Sequence, residues 1–315
     1  MPNKEFCFIF VASIDTFTMI AEFKVCNFYS IRSEQRLSFI ASRDSFMEEE
    51  YIHPASDSVR LLKIGMIYGS NASGKSNVLK ALAYFRRLMV YSPSDKNEKM
   101  GWVPFLLDDA SRSGHCMMSM TFYLDGKRYI LSVEFDGTRI YEEQLDVYLT
   151  NRPTSLYRRT YNRDTDASEV TFSTKTKLSQ KSQTIIEGNT INNSTVMAAF
   201  GKSNVELSLL NSVYDFFSLG FADELTPEKS LSDYTKELLA KDRDGKLKRF
   251  LLYMLRASDF NIDNLKLGRA SDERELYFEH SANGESFELP ESYESRGTIR
   301  FLGMAAILQK LLFTS

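Results

Sequence analysis

Eight consecutive residues, Gly69-Ser70-Asn71-Ala72-Ser73-Gly74-Lys75-Ser76, fit the pattern G-x-x-x-x-G-K-[ST] without a mismatch. Each position has a task if the ligand is a triphosphate. Glycines at 69 and 74 let the backbone turn tightly, so that successive N–H groups point inward at phosphate oxygens. Lys75, the catalytic candidate, is placed to reach the β- and γ-phosphates as a point charge. The Ser76 hydroxyl would ligate Mg²⁺. A helix that starts at the loop adds its free N–H groups and its dipole. The pattern arises by chance in roughly 1% of chains of this length at average residue usage, so the flanking elements have to decide. The competing reading is a loop that merely turns a strand into a helix.

The flanks favour the ligand. Leu61 to Tyr68 (LLKIGMIY) is a mostly apolar run that ends at a glycine, which predicts a strand buried on both faces. After the loop, Val78, Leu79, Leu82, Phe85 and Leu88 recur at three and four residues, and the pattern stops at Ser92-Pro93. The order is buried strand, glycine-rich turn, amphipathic helix.

Elsewhere the chain alternates between the two periods. Met19 to Phe28 alternates, with Ala21, Phe23 and Val25 on one side and Glu22, Lys24 and Cys26 on the other, as in a half-buried strand. Residues 31–39 are expected to pair with it, and the polar stretch 41–60, with Pro54, reads as a loop. Residues 118–149 read as a meander broken at Asp125-Gly126 and Asp136-Gly137, turns whose second residue tolerates positive φ. Residues 150–195 are polar and read as exposed hairpins or a mobile insertion. Residues 204–257 look helical, with Leu247, Phe250, Leu251, Met254 and Leu255 on one core-facing stripe. Residues 262–267 and 275–280 suggest strands. Glu294-Ser295-Arg296-Gly297-Thr298 then leads into a last helical pattern, 299–312.

Composition narrows the classes. The chain is 43% hydrophobic and 26% charged, as globular domains are, and carries a net charge of −3, so a nucleic-acid contact would need a local basic patch. Three scattered cysteines (Cys7, Cys26, Cys116) argue against a disulfide framework and for a reducing cytoplasm. Three histidines with no His/Cys cluster make a structural zinc site an unattractive reading. No run of 18 apolar residues occurs, so no spanning helix and no membrane partner is expected. Phe6 to Ala12 resembles a very short signal segment, but Asp15 follows closely, and an extra strand or an early start codon is the plainer reading. Arg152, Arg158, Arg159 and Arg163 interleave with Tyr157 and Tyr161, a pattern that grips single-stranded nucleic acid or, more simply, forms a solvated hairpin face. His280 reads as a surface histidine at a strand end. No local nucleophile constellation is present.

Three segments together resemble one family. MIAEFKVCNFYSI from Met19 looks like the opening strand of ABC-class ATPases related to chromosome-maintenance and double-strand-break-repair proteins. GSNASGKSN looks like their Walker A loop, with Asn77 after the Lys-Ser pair. Ser295-x-Gly297-Thr298 looks like their signature. Within that class the chain is most similar to "AAA domain" ATPases of the abortive-infection and overcoming-lysogenization-defect type, over about residues 19–312. The resemblance implies an α/β P-loop NTPase fold, an ABC-type ATPase head with a mixed sheet around the Walker A loop and an inserted antiparallel β-meander and helical lobe. It divides into an N-terminal extension (1–18), a nucleotide-binding lobe (19–110), the insertion (111–290) and the signature with its helix (291–315). It also implies ATP and Mg²⁺ as cofactors and a role in phage defence. The expected partners are a second copy in an ATP-dependent homodimer, and DNA or a neighbouring toxin or nuclease. Residues Gly69 to Asn77 would hold one ATP, while Ser295, Gly297 and Thr298 of the second copy cap its γ-phosphate. Asn27, Phe28 and Ser30 would lie beside the nucleotide.

The sequence departs from that family in one respect. No apolar run capped by Asp-Glu follows Gly297, so the Walker B aspartate and catalytic glutamate have no counterpart before Ser315. Phe105-Leu106-Leu107-Asp108-Asp109 resembles one superficially but comes too early. The fold is therefore expected to be truncated before Walker B. Two readings stay open, a piece of a longer ATPase and a short nucleotide-binding module that regulates a partner. Either way the expectation is nucleotide binding with weak or no hydrolysis.

Overall fold

The computed structural model describes residues 5–10, 18–45, 47–56, 58–69, 73–220, 228–258, 260–270, 273–282 and 284–313. It divides into two compact units, Met1–Asp223 and Glu224–Ser315, each with its own apolar core.

The first unit runs β1 (Glu5–Phe10), β2 (Thr18–Cys26), β3 (Gln35–Ser38), α1 (Glu48–Tyr51), β4 (Ile52–Ser56), β5 (Val59–Leu62), β6 (Ile64–Gly69) and α2 (Lys75–Val90). It continues with α3 (Asp109–Arg112), β7 (Cys116–Leu124), β8 (Lys127–Phe135), β9 (Ile140–Tyr148), β10 (Thr154–Asn162), β11 (Ala167–Phe172), α4 (Gln180–Asn189), α5 (Val196–Gly201) and α6 (Ser208–Leu219). Seven strands form one antiparallel sheet in the order β11-β10-β9-β8-β7-β2-β3. The period-2 pattern explains it: Phe23 and Val25 on β2, Met118, Met120 and Phe122 on β7, and Tyr129, Leu131, Val133 and Phe135 on β8 are all buried. Against them lies the apolar stripe of α2, Ala81, Leu82, Phe85, Leu88 and Met89. Phe85 meets Phe23 edge-on at 5.6 Å and Phe217 of α6 at 5.8 Å, and Phe216 stacks on Phe122 at 4.7 Å.

Several expectations need correction. The run 61–68 is not one strand buried on both faces. It breaks at Lys63 into β5, which pairs with β4, and β6, which pairs antiparallel with β1. Met66 and Tyr68 are exposed, by 53% and 69%. Every strand pairing among the described residues is antiparallel, so the mixed sheet expected around the loop is not seen there. The stretch 41–60 is not all loop, because α1 and the β4–β5 hairpin occupy part of it. The Asp125-Gly126 turn has the positive φ values expected, 49° and 71°. At Asp136-Gly137 a carboxylate does the work instead: Asp136 accepts from the N–H groups of Thr138 at 2.6 Å and Arg139 at 2.9 Å. The meander is also continuous with the first strand of the sheet, since β7 pairs with β2.

The stretch 150–195 does hold an exposed hairpin, β10–β11, whose edge strand β11 is exposed at every other residue, but part of it also enters the core. β10 extends the sheet and α5 is buried along most of its length. Within the Arg/Tyr pattern, Arg159 and Tyr157 are interior, whereas Arg152, Arg158 and Arg163 are exposed. Glu143 of β9 accepts from the Tyr157 hydroxyl at 2.7 Å and from the Val196 N–H at 2.8 Å, at the start of α5. The Arg159 guanidinium donates to the carbonyls of Ser194, Ile191 and Asn192. Burial pushes the Glu143 carboxyl above its ordinary range and holds the Arg159 guanidinium down at about 10.

The second unit comprises α7 (Glu228–Lys241), α8 (Lys246–Ala257), β12 (Asn264–Ala270), β13 (Glu273–Ala282), β14 (Glu285–Pro290) and α9 (Arg296–Phe313). The strands form an antiparallel sheet in chain order. The stripe read on α8 is core-facing: Leu247, Leu251 and Leu255 are buried with Leu265, Leu276 and Phe278 from the sheet and Leu302 and Ala306 from α9. Among the described residues no helix is long and apolar enough to cross a membrane.

Replacing Glu143 by Ala strands Arg159 as a charge in the interior, and is expected to cost about 3 kcal/mol or more. The check is the denaturation midpoint, and Arg159→Met in the same background should recover part of the loss. An unchanged midpoint in Glu143→Ala contradicts this account.

Candidate functional site

β6 ends at Gly69 and α2 begins at Lys75, so a strand, a turn and a helix meet where the sequence pattern requires them. Ser70, Asn71 and Ala72 lie outside the described residues. Gly74 caps α2 with φ +89°, a left-handed conformation that an L side chain rarely adopts. A Cβ there would also sit 3.0 Å from the Ser30 hydroxyl. The glycine is therefore required twice, by its backbone angle and by close approach. Asn77 ties the turn from below, donating its N–H to the Gly74 carbonyl at 2.9 Å and its side-chain amide to Ser30 Oγ at 2.7 Å.

Lys75 is buried, at 7% exposure, whereas Ser73 and Ser76 are exposed. A lysine is almost never buried without partners for its charge. Beside it opens a cavity of about 680 Å³, within the range of small-ligand pockets. Its floor is apolar, with Val25, Ile67 and Val78. Its rim carries Ser30, Arg32, which pairs with Asp108, and Arg36, which pairs with Glu22, and among the described residues lining it there is no carboxylate. Cationic and hydroxyl groups around the start of a 16-residue helix suit a polyanion.

The three residues that the resemblance put beside the nucleotide divide. Ser30 touches Asn77 and lines the cavity. Phe28 is buried and packs on Tyr84 at 5.5 Å. Asn27 is turned away and saturated: its Oδ1 accepts from the Phe105 N–H at 2.9 Å, and its amide donates to the carbonyls of Ser111 at 2.7 Å and His115 at 3.2 Å. Trp102 Nε1–H donates to the Asn27 carbonyl at 2.9 Å. Asn27 and Tyr29 both have positive φ, 54° and 50°, so the chain folds back sharply after β2 and delivers Ser30 to the turn. Arg32 and Arg36 were not singled out from the sequence. Their signal in the sequence is proximity to Ser30, Arg32 on the segment leading into β3 and Arg36 within that strand.

The stretch Phe105–Asp109 is no Walker B strand. It is irregular, Leu107 is exposed, and Asp108 caps α3 by accepting from the Ser111 N–H at 3.0 Å and pairs with Arg32 at 2.9 Å. Hydrogen bonds from Ser111, with Arg32 and Arg112 nearby, hold the Asp108 carboxyl below the usual carboxylate range.

Ser295, Gly297 and Thr298 lie at the start of α9, in the second unit. Ser295 Oγ accepts from the Thr298 N–H at 3.0 Å and sits 2.8 Å from Thr298 Oγ1, a side-chain cap. His280 is within β13 rather than at its end, and both ring nitrogens are engaged. Among the described residues no group of three or more His, Cys, Asp or Glu side chains could hold a metal ion.

Residues 65–312 match the family described as "AAA domain, putative AbiEii toxin, Type IV TA system". The chain belongs to this family. The match runs from β6 through both units to α9, and so takes in the candidate loop and the start of α9. AAA domains are P-loop nucleotide-binding ATPases, and the mixed α/β structure with its large antiparallel sheet fits that class. No curated protein matches the chain.

The Asn27 side chain makes three hydrogen bonds to the 105–115 segment, and Asn27→Gly keeps the left-handed backbone while deleting them. A loss of about 2 kcal/mol is expected, with a red shift in the emission of Trp102, the chain's single tryptophan. Equal stability and emission would show that only the backbone angle matters.

Proposed function

We propose that this AAA-domain protein binds ATP with Mg²⁺ at Gly69–Asn77, and that ATP joins two copies, each capping the other's nucleotide through Ser295, Gly297 and Thr298. The observation that carries the first part is Lys75, buried as the first residue of α2, immediately after left-handed Gly74 and beside the cavity. From that position a lysine and the N-terminus of the helix can act together on a phosphate. Ser76, exposed in the first helical turn, is the protein ligand available to a divalent cation held by the phosphates. The dimer rests on the signature-like start of α9. The biological setting, phage defence of the abortive-infection or toxin–antitoxin kind with a neighbouring effector protein or DNA as partner, is supported by the family description.

A second reading has its own observation in favour. Among the described residues no carboxylate lines the cavity, and Asp108 is committed to a helix cap and to Arg32. Nothing among these residues can polarise an attacking water. The chain then acts as a nucleotide-gated module that holds ATP and hydrolyses it weakly or not at all.

Titration calorimetry with MgATP checks the binding site: Lys75→Ala should lower affinity at least tenfold, and equal affinities for the two proteins would sink the assignment. Phosphate release separates the two readings. A robust Mg²⁺-dependent rate abolished by Lys75→Ala supports the ATPase, whereas tight binding without release supports the module.

A further inference from the structure

The segment that leads into α9 carries two acids, Glu291 and Glu294, on either side of Tyr293 and directly before Ser295. A surface that is to meet a triphosphate held by a second copy cannot afford free carboxylates there, because like charges at contact range repel. Both acids are drawn into the second unit and compensated.

Glu291 accepts from the Ser232 hydroxyl and the Lys236 ammonium of α7, and Lys236 also lies 3.5 Å from Asp233. Glu294 is compensated differently. His280 Nδ1 is 2.7 Å from the Asn261 carbonyl, which can only accept, so Nδ1 carries a proton. His280 Nε2 is 2.6 Å from Glu294 Oε1, so the ring bridges the Asn261 carbonyl and the Glu294 carboxyl, which is thereby held inward. Beside the pair lies Asp263, whose N–H donates to the Glu279 carbonyl at 2.8 Å and whose own carbonyl accepts from Arg256 of α8.

We infer that His280 is a positioning and charge-compensating residue for the signature segment: it turns Glu294 inward and cancels its charge, so that the start of α9 can approach the phosphates of a nucleotide bound to a second copy. This rests on the ATP-joined dimer proposed above. His280 touches no nucleotide; it acts through Glu294. The sequence offered no hint of the pairing, because the two residues are 14 positions apart with a whole strand between them.

The test uses the full chain with Mg²⁺ and a non-hydrolysable ATP analogue, with dimer dissociation constants from sedimentation. His280→Gln retains a donor toward Glu294 but brings no proton to share, and should weaken the nucleotide-dependent dimer about tenfold while leaving the analogue's affinity for the monomer unchanged. Glu294→Gln added to that variant should restore the dimer to within about twofold of the original, which a packing role for His280 would not do. A His280→Gln dimer as tight as the parent's, or a loss that Glu294→Gln fails to reverse, overturns the inference and leaves the dimer standing. Absence of any analogue-dependent dimer in the parent chain overturns the dimer, and this inference with it.

Discussion

The Leu88 carbonyl near the end of α2 and polar groups of the segment that follows it find their partners in protein. Thr195 donates its hydroxyl to the Leu88 carbonyl at 2.6 Å, Ser194 bonds Ser92 Oγ at 3.1 Å, and Lys202 donates to the Ser92 carbonyl. Asn193 reaches the carbonyls of Asp95 and Glu98. Asn193, Ser194 and Thr195 come from the short stretch leading into α5 and Lys202 from just past its end, and the stretch before α5 is held by Glu143 and Arg159 from the sheet. Two opposite charges buried on neighbouring strands give little net stability, but removing one of them is costly. Their consequence here is register: β9, β10, α5 and the end of α2 can lock together in only one way.

Fixing one end of a rigid helix fixes the other. α2 is clamped along its length by Phe85 between Phe23 and Phe217, so Gly74 and Lys75 arrive at a set place beside β2 and β6. The second anchor is Asn27, whose amide closes the 105–115 segment and whose left-handed backbone swings Ser30 onto Asn77. The turn that carries Lys75 is thus held by polar contacts on the side facing β2. Its outer side faces a cavity with a basic rim.

The second unit repeats the logic on a smaller scale. An apolar core of α8, α9 and the three-stranded sheet sets the direction of α9. Polar contacts then shape its first turn: Ser295 caps it, and His280, Lys236 and Ser232 hold the acids that precede it. Burial decides where the helix lies, and charge compensation decides what its exposed end offers.

Much was legible from the chain alone. The spacing of Gly69, Gly74, Lys75 and Ser76 predicted a turn from strand to helix, and β6 and α2 flank it as expected, because Gly74 there takes a conformation that other residues rarely adopt. Periods of 2 and 3.6 determined β2, the meander 116–148, α2 and α8, because amphipathic elements must bury one face. What only the tertiary structure decided are the places where polar residues go inside or apolar ones stay out. Arg159 and Glu143 look like surface residues until β10 joins the sheet. Met66 and Tyr68 look buried until β6 pairs with β1 alone among the described strands. Asn27 looks like a ligand contact until its amide is seen to be used up. Composition records how much a residue prefers water; whether it gets its way depends on partners that come from distant parts of the chain, and those are chosen only when the chain folds.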